Sequence, residues 1–162
     1  MNNSKRSLAR YLSMQAVYQF KEGNLKYDDV LVQFIELHLK NICFDFERSE
    51  KKLNLEVDKN YFIGLFTKYI KEENEINELI KNNLDKHWTV NRLPLVLRAI
   101  LKVAIAEMLM SPKLSIGIIA SEYIILTETF CDVKETSFVN AFIENTYNFL
   151  KKKKNESRKK IN

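Results

Sequence analysis

The sequence predicts an all-α protein, a compact bundle of about six or seven helices. Three observations carry this. Apolar residues recur at helical spacing from one end of the chain to the other, and no period-2 alternation lasts more than a few residues. Among 162 residues there are only 3 Gly and 2 Pro, where average usage would give about 11 and 8, so long helices with few tight turns are favoured. The chain is also long enough to bury a core in a single domain without disulfides or metal.

Each element has its own signal. In the first helix Ala9, Leu12, Ala16 and Phe20 form one stripe, widened by Leu8 and Val17, and Gly23-Asn24 stops it. YDDVLVQFIELHLKNICF is a second helix with Val30, Phe34, Leu37 and Ile42 near one face and Asp28 or Asp29 as cap. FDFERSEKKLNLEV is charged and aperiodic, mostly loop. From Asp58 the pattern is long enough for two helices or one bent helix, with KEENE near residue 73 as the bend. Pro94 suits the start of a helix, since its missing N–H would be unpaired there. The helix after it, LVLRAILKVAIAEMLM, is apolar on nearly all sides and should be the central one. SPKLS breaks the chain, Ser115 can cap the next helix, and CDVKE leads to a last helix, TSFVNAFIENTYNFL.

The charge is unevenly placed. Residues 151–162, KKKKNESRKKIN, carry +6 of a total of +5; the first ten residues carry +3, which leaves residues 11–150 at −4. A mildly acidic body with two basic ends suits a polyanion met at the termini, nucleic acid first; for the tail alone, a solubilising role explains the charge equally well. The folded domain is expected over 4–150, with 151–162 a disordered basic tail.

Little points to catalysis. His38 and His87 have no partner at metal-ligand spacing, phosphate-cradling glycine loops and the nucleophile elbow are absent, and no metal or cofactor is expected. Cys43 and Cys131 are expected to be reduced, buried thiols. No run of 18 apolar residues and no signal-peptide core is seen, so a cytoplasmic protein is expected.

The first helix holds Lys5, Arg6 and Arg10 where its dipole prefers acids, and no acid precedes Glu22. Arg6 and Arg10, four apart, would project from one face beside Lys5. The charges leave two readings open: an external phosphate held by guanidinium groups near the helix N-terminus, or an end frayed enough to escape the penalty.

ARYLSMQAVY, WTVNRLPLVLRAILKVAIAEML and SFVNAFIEN, in this order and spacing, resemble the bacterial transcription antitermination factor NusB family over about Lys5 to Leu150. Ala9, Arg10, Ser13, Gln15, Ala16, Val17 and Tyr18 match its first motif; Arg98, Ile100, Leu101, Lys102, Ala104 and Glu107 its central helix; Phe138, Val139 and Asn140 its last. Departures include Ala120-Ser121-Glu122 for Ile-Asn-Glu, Glu128 and Ser137 for Lys, and Ser7-Leu8 within the basic start.

The resemblance implies a seven-helix fold in two packed helical subdomains and a non-enzymatic factor. Such a factor binds boxA-type single-stranded RNA together with a small-subunit ribosomal protein (NusE), acts in the transcription elongation complex on rRNA operons, and can form a homodimer without RNA. Carried over by position, Lys5, Arg6, Arg10 and Gln15 would face RNA, with Phe138 and Asn140 at the other edge of the site. Partner docking on the acidic body is expected near Leu97, Glu107 and Glu122. Phe138 is either core or a base-stacking ring; stacking is preferred because Val139, Phe142 and Leu150 already supply a buried stripe. The competing class is a protein-interaction module whose basic ends are incidental.

Overall fold

A computed structural model describes residues 2–39, 43–44, 53–54, 56–84 and 88–159. Ile42, His87, the side chain of Cys43 and most of the 44–57 loop lie outside the described residues. The described chain is helical: α1 (Asn2–Glu22), α2 (Tyr27–Gln33), α3 (Lys59–Lys71), α4 (Glu73–Asn83), α5 (Leu95–Met110), α6 (Ile116–Phe130) and α7 (Val133–Lys159). Two-residue strands β1 (Cys43–Phe44) and β2 (Leu53–Asn54) pair antiparallel, Cys43 opposite Asn54, too short a ladder to alter the all-α class.

Local chemistry accounts for most boundaries. After α1 it is Asn24, at φ 49°, that takes the left-handed turn, a conformation Asn tolerates better than most residues. Asp58 caps α3 by accepting from the Tyr61 N–H at 3.0 Å, and Ser115 caps α6 by accepting from Ile118 N–H at 3.4 Å. The 58–84 segment is two helices broken at Glu72. Pro94 stands immediately before α5.

Two elements differ from expectation. α2 runs into a π-helical turn, Phe34–His38, closed by Leu39 N–H to Phe34 C=O at 2.9 Å. The wider turn rotates the residues after it about the helix axis, so Leu37 is exposed while Leu39 packs inward. α7 begins at Val133 and continues to Lys159. The CDVKE loop is therefore largely helix, and residues 151–159, expected as disordered tail, extend α7. No Gly or Pro interrupts them, and cations suit a helix C-terminus.

α1, α2 and α3 pack as one group and α4, α5, α6 and α7 as another, joined where α5 lies against α1 and α3. Ten of the 16 residues of α5 are buried, which makes it the central helix. The first group is filled by rings: Phe62 stacks between Phe34 at 5.6 Å and Phe66 at 6.3 Å, and Phe20 meets Phe66 edge-on at 6.2 Å. Among the described residues no helix is long and apolar enough to cross a membrane.

Candidate nucleic-acid interface

The basic face of α1 divides within two turns. Lys5 forms an ion pair with Glu56, and Arg6 sits 3.6 Å from Asp58 with its guanidinium carbon 4.7 Å from the Tyr61 ring centroid. Both side chains remain over 40% exposed, so these pairs sit in high dielectric and a phosphate can compete with the carboxylates. The Lys5 ammonium holds the Glu56 carboxyl below its usual range. The dipole mismatch read in the sequence is thus met partly from within the chain, by acids preceding α3.

Arg10, one turn on, is only 2% exposed. Its Nε donates to both Glu107 oxygens at 3.1 and 2.9 Å, Nη2 donates to Oε1 at 2.6 Å, and Nη1 lies 3.3 Å from Glu122. Glu107 also accepts from the Tyr61 hydroxyl and from the Tyr123 hydroxyl at 2.6 Å. Burial works against a charged guanidinium, yet the hydrogen bonds and charge of Glu107 outweigh it and hold Arg10 above its ordinary range. Burial, followed by hydrogen bonding to Glu107, pushes the Tyr61 phenol up to about 12; burial and the Glu107 charge push Tyr123 up as well. Four elements, α1, α3, α5 and α6, meet in this one network.

This geometry corrects three expectations. Arg10 is committed to Glu107 and Glu122 and cannot present its guanidinium to RNA. Glu107 and Leu97 are fully buried, so neither can meet a partner protein. Their residue types gave no warning: an i, i+4 cation looks the same whether it faces solvent or a glutamate 97 positions later. Glu122 stays partly exposed, its side chain at 18%.

Beyond Arg10, α1 borders an apolar groove of about 550 Å³ lined by Met14, Gln15, Tyr18, Phe34, Val96 and Phe130. The Gln15 amide donates to Tyr11 Oη at 2.8 Å, and the Tyr11 ring stacks on Phe130 at 5.9 Å. Tyr18 and Phe130 are exposed. Tyr11 and Phe130 were missed by sequence reasoning; their pairing links α1 to the end of α6 and leaves no local signal.

Phe138 and Asn140 do not line this groove. Because α7 starts at Val133, Phe138 lies in its second turn, not its first. Its ring lies 4.5 Å from Trp88 and 6.1 Å from Phe142, partly buried against the core. Asn140 is partly exposed, and its amide makes no hydrogen bond among the described residues. Cys131 is a free thiol, only partly buried, and burial raises its pKa.

The sequence profile of the NusB family matches residues 7–148. The chain belongs to the NusB family. The transcription antitermination protein NusB of Bartonella quintana (strain Toulouse) is 25% identical over 142 residues, covering 87% of this chain and 86% of the relative. That of Rickettsia massiliae (strain Mtu5) is 26% identical over 142 residues, covering 87% and 90%. Among solved structures, T. maritima NusB matches at TM-score 0.67 and 20% identity, over 88% of this chain and 90% of that one. A chain from the crystal structure of antitermination factors NusB and NusE in complex with dsRNA matches at TM-score 0.70 and 18% identity, over 91% and 98%. At such identities the structural likeness shows that the NusB fold is shared.

Proposed function

We infer that this chain is a transcription antitermination factor that works by scaffolding. It binds boxA-type RNA together with a small-subunit ribosomal protein of the NusE kind, joins the elongation complex in the cytoplasm, and promotes rRNA operon transcription. The observation that supports this most is the NusB family match over 7–148, together with relatives named as antitermination proteins. The complex of NusB and NusE with dsRNA among the structural neighbours supports RNA and NusE as partner classes.

In this reading the RNA edge is narrower than the sequence suggests. Lys5 and Arg6 supply exchangeable cations, Gln15 lies beside the exposed Tyr18 ring, and Asn140 offers an unengaged amide; cations, a ring and base-edge donors suit single-stranded RNA. Arg10 fixes α1 to α5 and takes no part in this edge. Phe138 packs against Trp88 and Phe142 and is left out of the RNA contacts. For the ribosomal partner, Ile118 and Ile125 are exposed on α6 either side of Glu122. They give an apolar surface with an acid at its centre, suited to a basic protein.

Fluorescence anisotropy with a boxA-like RNA and a scrambled control, with and without the ribosomal protein, tests the reading. Preference for the boxA-like RNA that rises when the ribosomal protein is added is expected. Equal, weak binding of both RNAs with undiminished protein–protein association would make the chain a protein-interaction module instead.

A further inference from the structure

The family match ends at residue 148, yet α7 continues as helix to Lys159. This continuation is rooted in the body. The Tyr147 hydroxyl donates to the Leu114 carbonyl at 3.1 Å, Lys151 Nζ donates to the Pro112 carbonyl at 3.0 Å and lies 5.1 Å from the Tyr147 ring centroid, and Lys153 pairs with Glu75 at 3.2 Å. Past that root Lys152, Lys154, Arg158 and Lys159 are exposed, and none of the four makes an ion pair among the described residues.

At 3.6 residues per turn, Asn140, Tyr147, Lys151, Lys154 and Arg158 fall within about 60° of arc on one flank of α7, and Asn140 and Arg158 stand roughly 27 Å apart along it. Lys154 and Arg158 are i, i+4 neighbours of like charge, as Lys151 and Lys154 are at i, i+3, with Glu156 the one acid within 151–159, so a polyanion alongside would relieve a modest repulsion. The helix dipole accounts for the cations of the last turn only. We propose that this arm is a second RNA-binding surface, which grips the phosphates of RNA running past Asn140 and outside the boxA-type site. The inference rests on the RNA-binding reading above and extends its footprint. Residues 151–159 contain no apolar side chain, so the arm lacks the face that a membrane-surface helix needs.

The test uses the full chain and the variant K152Q/K154Q/R158Q/K159Q, in which Gln keeps helix propensity close to that of Lys and Arg. Anisotropy is read across a salt series with a short boxA-like RNA and with the same RNA carrying a uridine tract at its 5′ or 3′ end. The native chain should bind one of the extended RNAs more tightly and with a steeper salt slope than the short one. The variant should lose that gain, roughly tenfold or more in affinity near 0.1 M salt, its slope flattening by about 1.4 for the two flank cations Lys154 and Arg158 at ~0.7 per phosphate, while binding of the short RNA changes little. Native binding of the short RNA with no gain from either extension, or a variant with unchanged slopes, would overturn the arm's role and leave the boxA-type site standing. No binding of the short RNA by the native chain would remove both. If poly-glutamate displaces an extended RNA as well as an equal charge of unlabelled RNA does, the arm is an acidic-protein site and the proposal fails.

Discussion

Arg6 and Arg10 stand four residues apart on one helix and do opposite work. Arg6 keeps much of its surface in water beside Asp58, whereas Arg10 is enclosed by Glu107, Glu122 and Tyr61. One turn of helix separates a cation that can exchange its partner from one that cannot. The neighbour in space decides: the outer turn of α1 meets the segment leading into α3, while the inner turn meets α5, where a single glutamate interrupts an otherwise apolar buried surface. A charge placed there must be paired, and Arg10 with the two tyrosine hydroxyls completes the pairing. The exchangeable cations of α1 therefore stand at the rim, and the buried pair lies one turn behind them.

The largest expected effect breaks the buried side of this contrast. Arg10→Met leaves Glu107 buried without its countercharge and should cost about 3 to 5 kcal/mol, lowering the melting temperature by roughly 10 °C in a chain of this size. Thermal unfolding checks it; a loss below about 1 kcal/mol would mean that water reaches Glu107. Next is Phe138→Ala, which removes ring contacts with Trp88 and Phe142 and should cost about 2 kcal/mol of stability. A variant of native stability with RNA affinity lower by on the order of 1 to 3 kcal/mol would restore the stacking role to this ring.

A pH titration sharpens the comparison at Tyr61, which lies against both arginines. Its folded pKa is raised to about 12 from about 10 when unfolded. Its contribution is therefore fully present below about pH 10 and is lost as pH rises through 12. Chemical denaturation should show stability falling over that window, and Tyr61→Phe should make the fall shallower, with Tyr123 maintaining the remainder. An unchanged alkaline limb would detach Tyr61 from the Glu107 network. The smallest structural effect belongs to the rim: Arg6→Gln should change stability by less than about 0.5 kcal/mol while flattening the RNA salt slope by about 0.7. Unchanged RNA binding would move the phosphate contacts off α1.

Much of the fold was legible because its signals are local. Pro94, Asp58, Ser115 and the Gly23-Asn24 pair mark helix ends through backbone chemistry carried by a few neighbouring residues, and the apolar run of α5 could only be a buried helix. The π-turn after Gln33 was not legible, since it is set by how Phe34 and Leu39 seat against the core, and it moved Leu37 outward. Nor was the early start of α7, where Val133 and Lys134 continue into helix although CDVKE has no apolar period. The exposure of Lys5 and Arg6 was legible, since both stand at the rim of the bundle, which leaves them in solvent. Arg10, Glu107 and Leu97 were misjudged because charge and periodicity describe a face of one helix, while burial is decided by another helix distant in sequence.

Arg10 holds the bundle together, and the double variant Arg10→Met/Glu107→Leu separates that role from one in holding RNA. Replacing both members of a buried pair by apolar residues of similar volume should recover most of the stability lost in Arg10→Met alone. RNA affinity and salt slope, measured by anisotropy on the folded double variant, should then match those of the native chain within about twofold. A double variant that melts near the native temperature yet has lost tenfold or more in RNA affinity, with a flattened salt slope, would show instead that the Arg10 guanidinium reaches RNA.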